Sequence, residues 1–451
     1  MNLSKSNLES NQAGKGERFS RAGFILAAIG SSVGLGNMWK FPYITGENGG
    51  AAFFLLFIVC LLLIGLPVLL AELAIGRSGR GSAATAFIKA GGHKGWLAAG
   101  LLQVLTPFII LSFYVIIAGW TLQYAVTSFS GTLFNNPDYG SQFNSFVGGY
   151  MPIVWQFVSV LITAWIVAKG ISNGIERFNK ILIPAMLVLL IILMIRAVTL
   201  PGAGAGVSFF LNPDFSQLTT ESALVALGHA FFSLSLGMGI LVTYGSYVDK
   251  NQSLGAATVA VGAGDLLYAF IAGLIIFPTT FSFGIAPDQG PSLIFIALPA
   301  AFSAMPLGSF FAGLFFILLA IAALTSAVSL LEVPVKYFME RFAWSRNRAV
   351  WSIALAVFIV GLPSVLSLGL FPEWKIGSKN VFDWLDFMAS NILLPVGGLL
   401  VTIFAGYFWK TAAEASGLSS RWFRIWLFML RYIAPILVLL VLLHTSGIIH
   451  F

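Results

Sequence analysis

Charge is scarce in this chain and cysteine almost absent. Of 451 residues, 9% are Asp, Glu, Lys or Arg, against roughly 25% in soluble domains. That shortfall excludes a soluble globular protein, a disordered chain and a nucleic-acid-binding domain. The single cysteine, Cys60, excludes an internal disulfide and a cysteine-based metal centre. The histidines at 93, 229, 444 and 450 show no metal-ligand spacing, and no nucleophile elbow or acid–base pair is visible, so no enzyme chemistry is suggested. Residues 1–21 are polar, without the pattern of a signal peptide. Unbroken apolar runs such as 53–70 exclude the alternating strands of a membrane barrel.

What the chain has is apolar length. Hydrophobic residues make up 58% and the mean hydropathy is +0.92. Apolar stretches near 22–44, 51–75, 97–127, 152–169, 175–198, 223–248, 253–284, 309–340, 348–368, 382–410 and 427–447 predict eleven membrane spans. The loop at 285–308, with four prolines and little charge, is expected to fold partly back into the protein. With an odd span count, the N-terminus is expected in the cytoplasm and the C-terminus outside the plasma membrane. Roughly 20 of the 24 Lys and Arg then fall on the inner side. Lys40, Arg196, Lys375 and Lys379 are the exceptions. The net charge of +7 and the pI near 9.5 therefore reflect topology rather than a nucleic-acid partner.

Two spans are interrupted. Span 1 carries Gly30-Ser31-Ser32-Val33-Gly34-Leu35-Gly36-Asn37, and span 6 carries Ser233-Leu234-Ser235-Leu236-Gly237-Met238-Gly239. Unwound backbone persists in a bilayer only where it lines a cavity. Its freed carbonyls suit an alkali cation, and its amides suit a carboxylate. One such cluster reads equally as close packing of small residues. Two clusters, in corresponding positions of the five-span halves 1–5 and 6–10, point to an inverted-repeat transporter. The expected organisation is a tail at 1–21, a first repeat at 22–198, a second at 223–410 and span 11 at 427–447.

Intramembrane acids and hydroxyls sharpen this reading. Asp265 in span 7 has no nearby sequence cation and is a candidate cation ligand. Glu72 either serves function or bonds exposed backbone amides, and Glu332 either serves function or sits near the inner surface. Thr325 and Ser326 in span 8 offer hard oxygens or back-bond their own helix. Tyr114 reads as an interfacial aromatic or as a buried phenol with a partner. Gly174 and Pro184 bracket a stretch of span 5 that is an ordinary start and kink, or a helix built to unwind.

With these residues in view, the chain resembles the neurotransmitter:sodium symporter family from Ser20 to about Ile448. The motifs are GSSVGLGNMWKFPYITGENGGAAF, GISNGIERFNKILIP, FFSLSLGMG and ALTSA, in this order and spacing. Bacterial amino-acid members with eleven spans look most alike. The resemblance implies an all-α polytopic membrane protein with inverted five-helix repeats, spans 1 and 6 unwound at mid-membrane, and two sodium ions. Carried over by motif, the first sodium meets the Ser32 carbonyl, Asn37, Ser233 and Asp265. The second meets carbonyls of Gly30, Val33 and Ala322 with the hydroxyls of Thr325 and Ser326. The substrate carboxylate meets Tyr114 and amides near Gly34 and Gly36. The substrate side chain lies among Ile110, Phe232, Ser235, Met238, Ala327 and Leu330, and Ser32 and Ser233 also belong to the implied substrate-binding set. Lys40 and Asp386 match an outer gate capped by Phe295, and Tyr247 and Glu340 match an inner one.

Three departures from the family pattern shape the expected function. Asp265 stands where relatives have a neutral ligand, while Ala269 stands where another bacterial branch has a glutamate. A permanent carboxylate supplies negative charge beside the ion, so no chloride is expected to be needed. Gly34 replaces the aspartate of monoamine carriers, so the substrate should bring its own carboxylate. Lys40 cannot form the bidentate fork of an arginine, so the outer gate should be loose or water-bridged. The implied activity is sodium-coupled symport of neutral hydrophobic L-amino acids by alternating access, with the lipid bilayer and no obligate protein partner. A channel, a membrane enzyme and a substrate-sensing receptor are the competing classes.

Overall fold

The computed structural model describes residues 18–285 and 293–445, and expectations for 1–17, 286–292 and 446–451 lie outside them. Among the described residues nine helices are long and apolar enough to cross a membrane. They are Ala51–Gly79 (span 2), Lys94–Phe129 (3), Met151–Ala168 (4), Ile171–Val198 (5), Leu254–Ser282 (7), Gly308–Phe342 (8), Arg346–Leu368 (9), Val381–Phe408 (10) and Ser420–His444 (11). Span 1 is a broken pair, Arg21–Ser32 and Gly36–Glu47, bent by 43°. Span 6 is likewise two pieces, Thr220–Ser233 and Ile240–Gly245. Together these make the eleven expected crossings.

Local chemistry explains the helix ends. Ser20 caps span 1 by accepting from the Gly23 amide at 3.1 Å. Thr219 and Ser222 form a reciprocal capping box at the start of span 6. Ser253 and Asn380 cap spans 7 and 10 by accepting from the Ala256 and Asp383 amides. The loops add what hydropathy did not reveal: surface helices Tyr139–Val147 and Ala203–Leu211 and a two-stranded hairpin, Lys375–Ile376 with Lys379–Asn380. Within the loop at 285–308, Leu293–Ser303 is a short apolar helix whose Phe295 and Leu298 are buried.

Prolines leave a regular mark. Wide π-type turns at Gly36–Lys40, Leu61–Gly65, Leu293–Ala297, Ala389–Leu393 and Met429–Ile433 each end two residues before a proline. Those prolines are Pro42, Pro67, Pro299, Pro395 and Pro435. A proline lacks the N–H for the residue four back and crowds its carbonyl. Widening the preceding turn relieves that clash while keeping the span continuous.

Span 8 is the most enclosed helix, with 83% of its apolar window buried, whereas spans 5 and 11 have 28%. Span 8 therefore runs through the centre, and span 5 shows one face to lipid through Val188, Ile191 and Ile195. The short second half of span 6 is held against span 2 by glycines. A Cβ on Gly76 would lie 1.9 Å from the Val242 carbonyl oxygen, and one on Gly245 would lie 2.4 Å from that of Leu73. Such contact through small residues is how membrane helices approach closely.

Gly76→Ala should therefore force spans 2 and 6 apart and cost about 1–3 kcal/mol. This is measurable as a lowered thermal midpoint of the purified protein in detergent. Gly204→Ala, where a Cβ meets nothing within 4 Å, should leave the midpoint unchanged.

Candidate functional site

The two breaks face each other, and their freed backbone groups find partners on other spans. In span 6, Ser235, Gly237 and Gly239 have φ of 55°, 76° and 69°, a region that glycine reaches without penalty. The Gly237 amide donates to Glu72 Oε1 at 2.7 Å. Glu72 thus bonds exposed backbone, the bland alternative its sequence position allowed, while Oε2 has no partner among the described residues. The Leu35 amide donates to the Tyr114 hydroxyl at 3.2 Å, so Tyr114 is a buried phenol and not an interfacial one. The Ser31 carbonyl accepts from Ser235 Oγ at 2.9 Å and Ser326 Oγ at 3.3 Å, joining spans 1, 6 and 8.

Between the breaks lies a small cavity. Span 1 contributes Ser31, Ser32, Gly34 and Gly36, and span 3 contributes Ile110 and Tyr114. Phe232, Ser235, Met238 and Ile240 come from span 6, and Ser326 and Leu330 from span 8. Of the side chains assigned to the substrate by motif, Ser233 and Ala327 are buried but do not line the cavity. Ser31 and Ile240 line it without having been singled out. A Cβ on Gly34 would lie 2.3 Å from Ser326 Oγ and 3.1 Å from the Tyr114 hydroxyl, so a side chain at 34 would occupy the cavity itself.

Against the cavity sits a cluster of hard oxygens from spans 1, 6 and 7. Asn37, Ser233 and Asp265 are all buried. Asp265 Oδ1 accepts from Ser233 Oγ at 2.7 Å and Asn37 Nδ2 at 2.9 Å. Ser233 Oγ also lies 3.3 Å from Asn37 Oδ1. Asp265 Oδ2 has no partner among the described residues. A carboxylate buried with a bare oxygen is costly unless a cation meets it. Ser32, whose carbonyl the resemblance adds to this set, lines the adjoining cavity. Neutral and anionic oxygens of this kind suit a hard cation.

The second expected ion set spans helices 1 and 8. Thr325 Oγ1 back-bonds the Ala322 carbonyl at 3.0 Å, while Ser326 reaches across to Ser31. Thr325 thus back-bonds its own helix, as the sequence allowed, and Ser326 bonds span 1 instead. Gly30, Val33 and Ala322 are buried. Span 5 between Gly174 and Pro184 is helical, entered through a wide turn at Ile171–Glu176.

Above the cavity, Phe232 forms the roof. It also lines a second, outer cavity with Lys40, Ile44, His229, Ser390 and Asn391, and Lys40 Nζ stands 4.9 Å from its ring centroid. No ion pair joins Lys40 to Asp386 among the described residues; Asp386 accepts from Ser390 Oγ at 3.0 Å. Phe295, expected to cap this path, lines neither cavity. It packs in an aromatic cluster with Trp120, Tyr124, Phe143 and Phe316. Edge-to-face contacts with span 3 draw it away from the site.

Below the cavity, the two residues matched by motif to an inner gate hold separate partners. Tyr247 donates to Glu332 at 2.6 Å, and buried Glu332 is ion-paired with Arg346. Glu340 instead accepts from the Ser82 amide and from Thr85 Oγ1 and pairs with Lys89. Arg18 pairs with Asp249 at 3.0 Å, and Phe19 packs edge-on against Tyr244 at 5.2 Å. Sequence reading missed Phe19, Arg346 and Asp249, the last because nothing local marks a partner 231 residues away.

Comparison with known proteins agrees with this architecture. The profile of the Sodium:neurotransmitter symporter family matches residues 16–145 and 141–450. The chain is 38% identical to the uncharacterized sodium-dependent transporter YhdH of Bacillus subtilis (strain 168), over 96% of this chain and 98% of that one. It is 27% identical to the sodium- and chloride-dependent GABA transporter ine of Drosophila melanogaster, over 86% of this chain and 46% of that one. Among solved structures, MhsT in complex with L-phenylalanine is similar at 47% identity and a TM-score of 0.89, covering 95% of this chain and 99% of that chain.

The Glu72 contact can be checked by substitution. Glu72→Leu should strand the Gly237 amide at a cost of about 1–3 kcal/mol. Glu72→Gln, which keeps an acceptor oxygen, should hold the thermal midpoint in detergent near that of the parent.

Proposed function

The chain belongs to the sodium:neurotransmitter symporter family, and from that premise we propose that it imports neutral hydrophobic L-amino acids, aliphatic and aromatic, with two sodium ions and without chloride. Sodium-coupled transport follows from the family, and the protein is a membrane transporter and not an enzyme. The substrate, the ion count and the orientation, with a cytoplasmic N-terminus and an outward C-terminus, are our reading. So is the division into repeats at 22–198 and 223–410.

One observation carries this reading: the bare oxygen of buried Asp265 beside a cavity walled by Ile110, Phe232, Met238, Ile240 and Leu330. A sodium ion there meets a fixed negative charge, so an added anion has no electrostatic task. Among the described residues no lining side chain is charged, which disfavours Lys, Arg, Asp and Glu as substrates. Gly34 leaves room for a substrate carboxylate, and Tyr114, accepting from Leu35, keeps a proton to donate to it. Met238 adapts to side chains of different shape. The L-phenylalanine held by the solved relative MhsT supports the substrate class.

Coupling follows from shared contact. Sodium beside Asp265 and the amino-acid carboxylate attract each other across the broken span 1, so each raises the other's affinity. The second sodium bridges spans 1 and 8 and holds the inner side shut. Phe232 above and the Arg18–Asp249 and Glu332–Arg346 pairs below close both ends at once, which favours a carrier over an open channel. Span 5 between Gly174 and Pro184 supplies the segment that unwinds to release the second ion.

Radiolabelled tryptophan and leucine should accumulate in proteoliposomes under an inward sodium gradient, equally in chloride and in gluconate. A chloride requirement would overturn the charge argument, and failure of both amino acids under every ion gradient would overturn the substrate class. Asp265→Asn should raise the sodium concentration for half-maximal uptake by about tenfold, equivalent to roughly 1.4 kcal/mol. An unchanged sodium requirement in that variant would remove Asp265 from the ion site.

A further inference from the structure

Span 5 turns a face of three side chains, Glu176, Asn179 and Ile183, toward span 1. At its cytoplasmic end the Glu176 carboxylate accepts from the Ser20 amide at 2.9 Å and Ser20 Oγ at 2.6 Å, and pairs with Lys180. A Cβ on Gly23 would lie 2.2 Å from the Glu176 carboxyl carbon. One turn higher, Asn179 is fully buried. Its Nδ2 donates to the Ile175 carbonyl at 2.8 Å, which fixes which end of the amide is which, because only nitrogen can donate there. Asn179 Oδ1 therefore points the other way, toward span 1, and has no partner among the described residues. A Cβ on Gly30 would lie 2.1 Å from it. Ile183 closes the stripe, its carbonyl held by the Tyr268 hydroxyl at 2.9 Å.

A buried amide oxygen without a donor is an unmet acceptor, costly to leave bare. Here it lies against Gly30, one of the residues that would hold the second sodium. We infer that Asn179 Oδ1 is the first oxygen to receive the second sodium as it leaves that site, with the Glu176 carboxylate next along the seam between spans 1 and 5. This rests on the two-sodium reading above and adds to it the atoms of the exit route. A neutral amide oxygen binds sodium weakly enough to pass it on, which a relay requires. Gly30 and Gly23 leave the seam open, since any side chain there would fill it.

The same amide couples the relay to the helix. Ile175 belongs to the wide turn at Ile171–Glu176, and Pro184 offers no N–H to the Lys180 carbonyl. Unwinding between Gly174 and Pro184 would break the Asn179–Ile175 bond and free the amide to follow the ion. In the closed arrangement Glu176 stays neutralised by Lys180 and Ser20, and it becomes available when Ser20 departs with the N-terminal end of span 1.

The test uses the full chain in nanodiscs, with radiolabelled sodium as the probe. Asn179→Leu removes the oxygen at similar volume. It should slow sodium release on dilution by about tenfold or more, while equilibrium sodium and amino-acid binding and the thermal midpoint stay at parental values. Asn179→Asp, which keeps the oxygen and adds charge, should tighten equilibrium sodium binding. Release from Asn179→Leu at the parental rate would overturn the inference. So would loss of stability and equilibrium binding together, which marks a purely structural side chain. A parental protein that binds no sodium would instead sink the transport reading beneath it.

Discussion

A carboxylate buried at mid-membrane with one oxygen unpartnered sets the terms for the rest of this structure. Asp265 is wholly enclosed, and Asn37 and Ser233 both commit their hydrogens to its other oxygen. An anion in that setting is expensive unless a cation joins it. The three residues come from spans 7, 1 and 6, so the site exists only when those spans converge. Folding thus builds a cluster with one carboxylate oxygen unmet; in the function proposed above an ion completes it and the neighbouring cavity ties that ion to the substrate.

The broken spans make that cluster possible. Opening a helix in a bilayer exposes polar backbone that lipid cannot satisfy. Here Glu72 takes the Gly237 amide, Tyr114 takes the Leu35 amide, and Ser235 and Ser326 give hydrogens to the Ser31 carbonyl. These bonds keep the breaks in place without filling the cavity. The half-helices below and above the breaks then become separate levers. Their inner ends are fastened by Arg18–Asp249 and by Ser20–Glu176, and the outer end by Phe232 and Lys40. Ion pairs and capping bonds at a water-facing end can exchange partners with solvent, which suits contacts that must open in turn.

Much of this was legible in the residues. Apolar length marked the spans, and glycine with serine at matched positions marked the two breaks, because few other residues tolerate positive φ or contact with neighbouring backbone. Asp265 stood out because an acid is rare in such surroundings. What the motifs left unsaid is which side chains pair. Tyr247 and Glu340 were matched by motif, yet Arg346 draws Glu332 to Tyr247, and Lys89 with Ser82 draws Glu340 elsewhere. Phe295 was carried over to the outer path from the resemblance, and in the structure it packs against Trp120 and Phe143. The surface helices at Tyr139–Val147 and Ala203–Leu211 are too short for hydropathy to separate from loop.

The central claim is that ion and substrate meet at Asp265 and strengthen each other's binding. The most direct measurement is equilibrium binding of radiolabelled sodium to the purified protein in chloride-free buffer, with and without saturating leucine. The account predicts a sodium dissociation constant that falls when leucine is present. A sodium affinity that ignores leucine, or that appears only when chloride is restored, would contradict it.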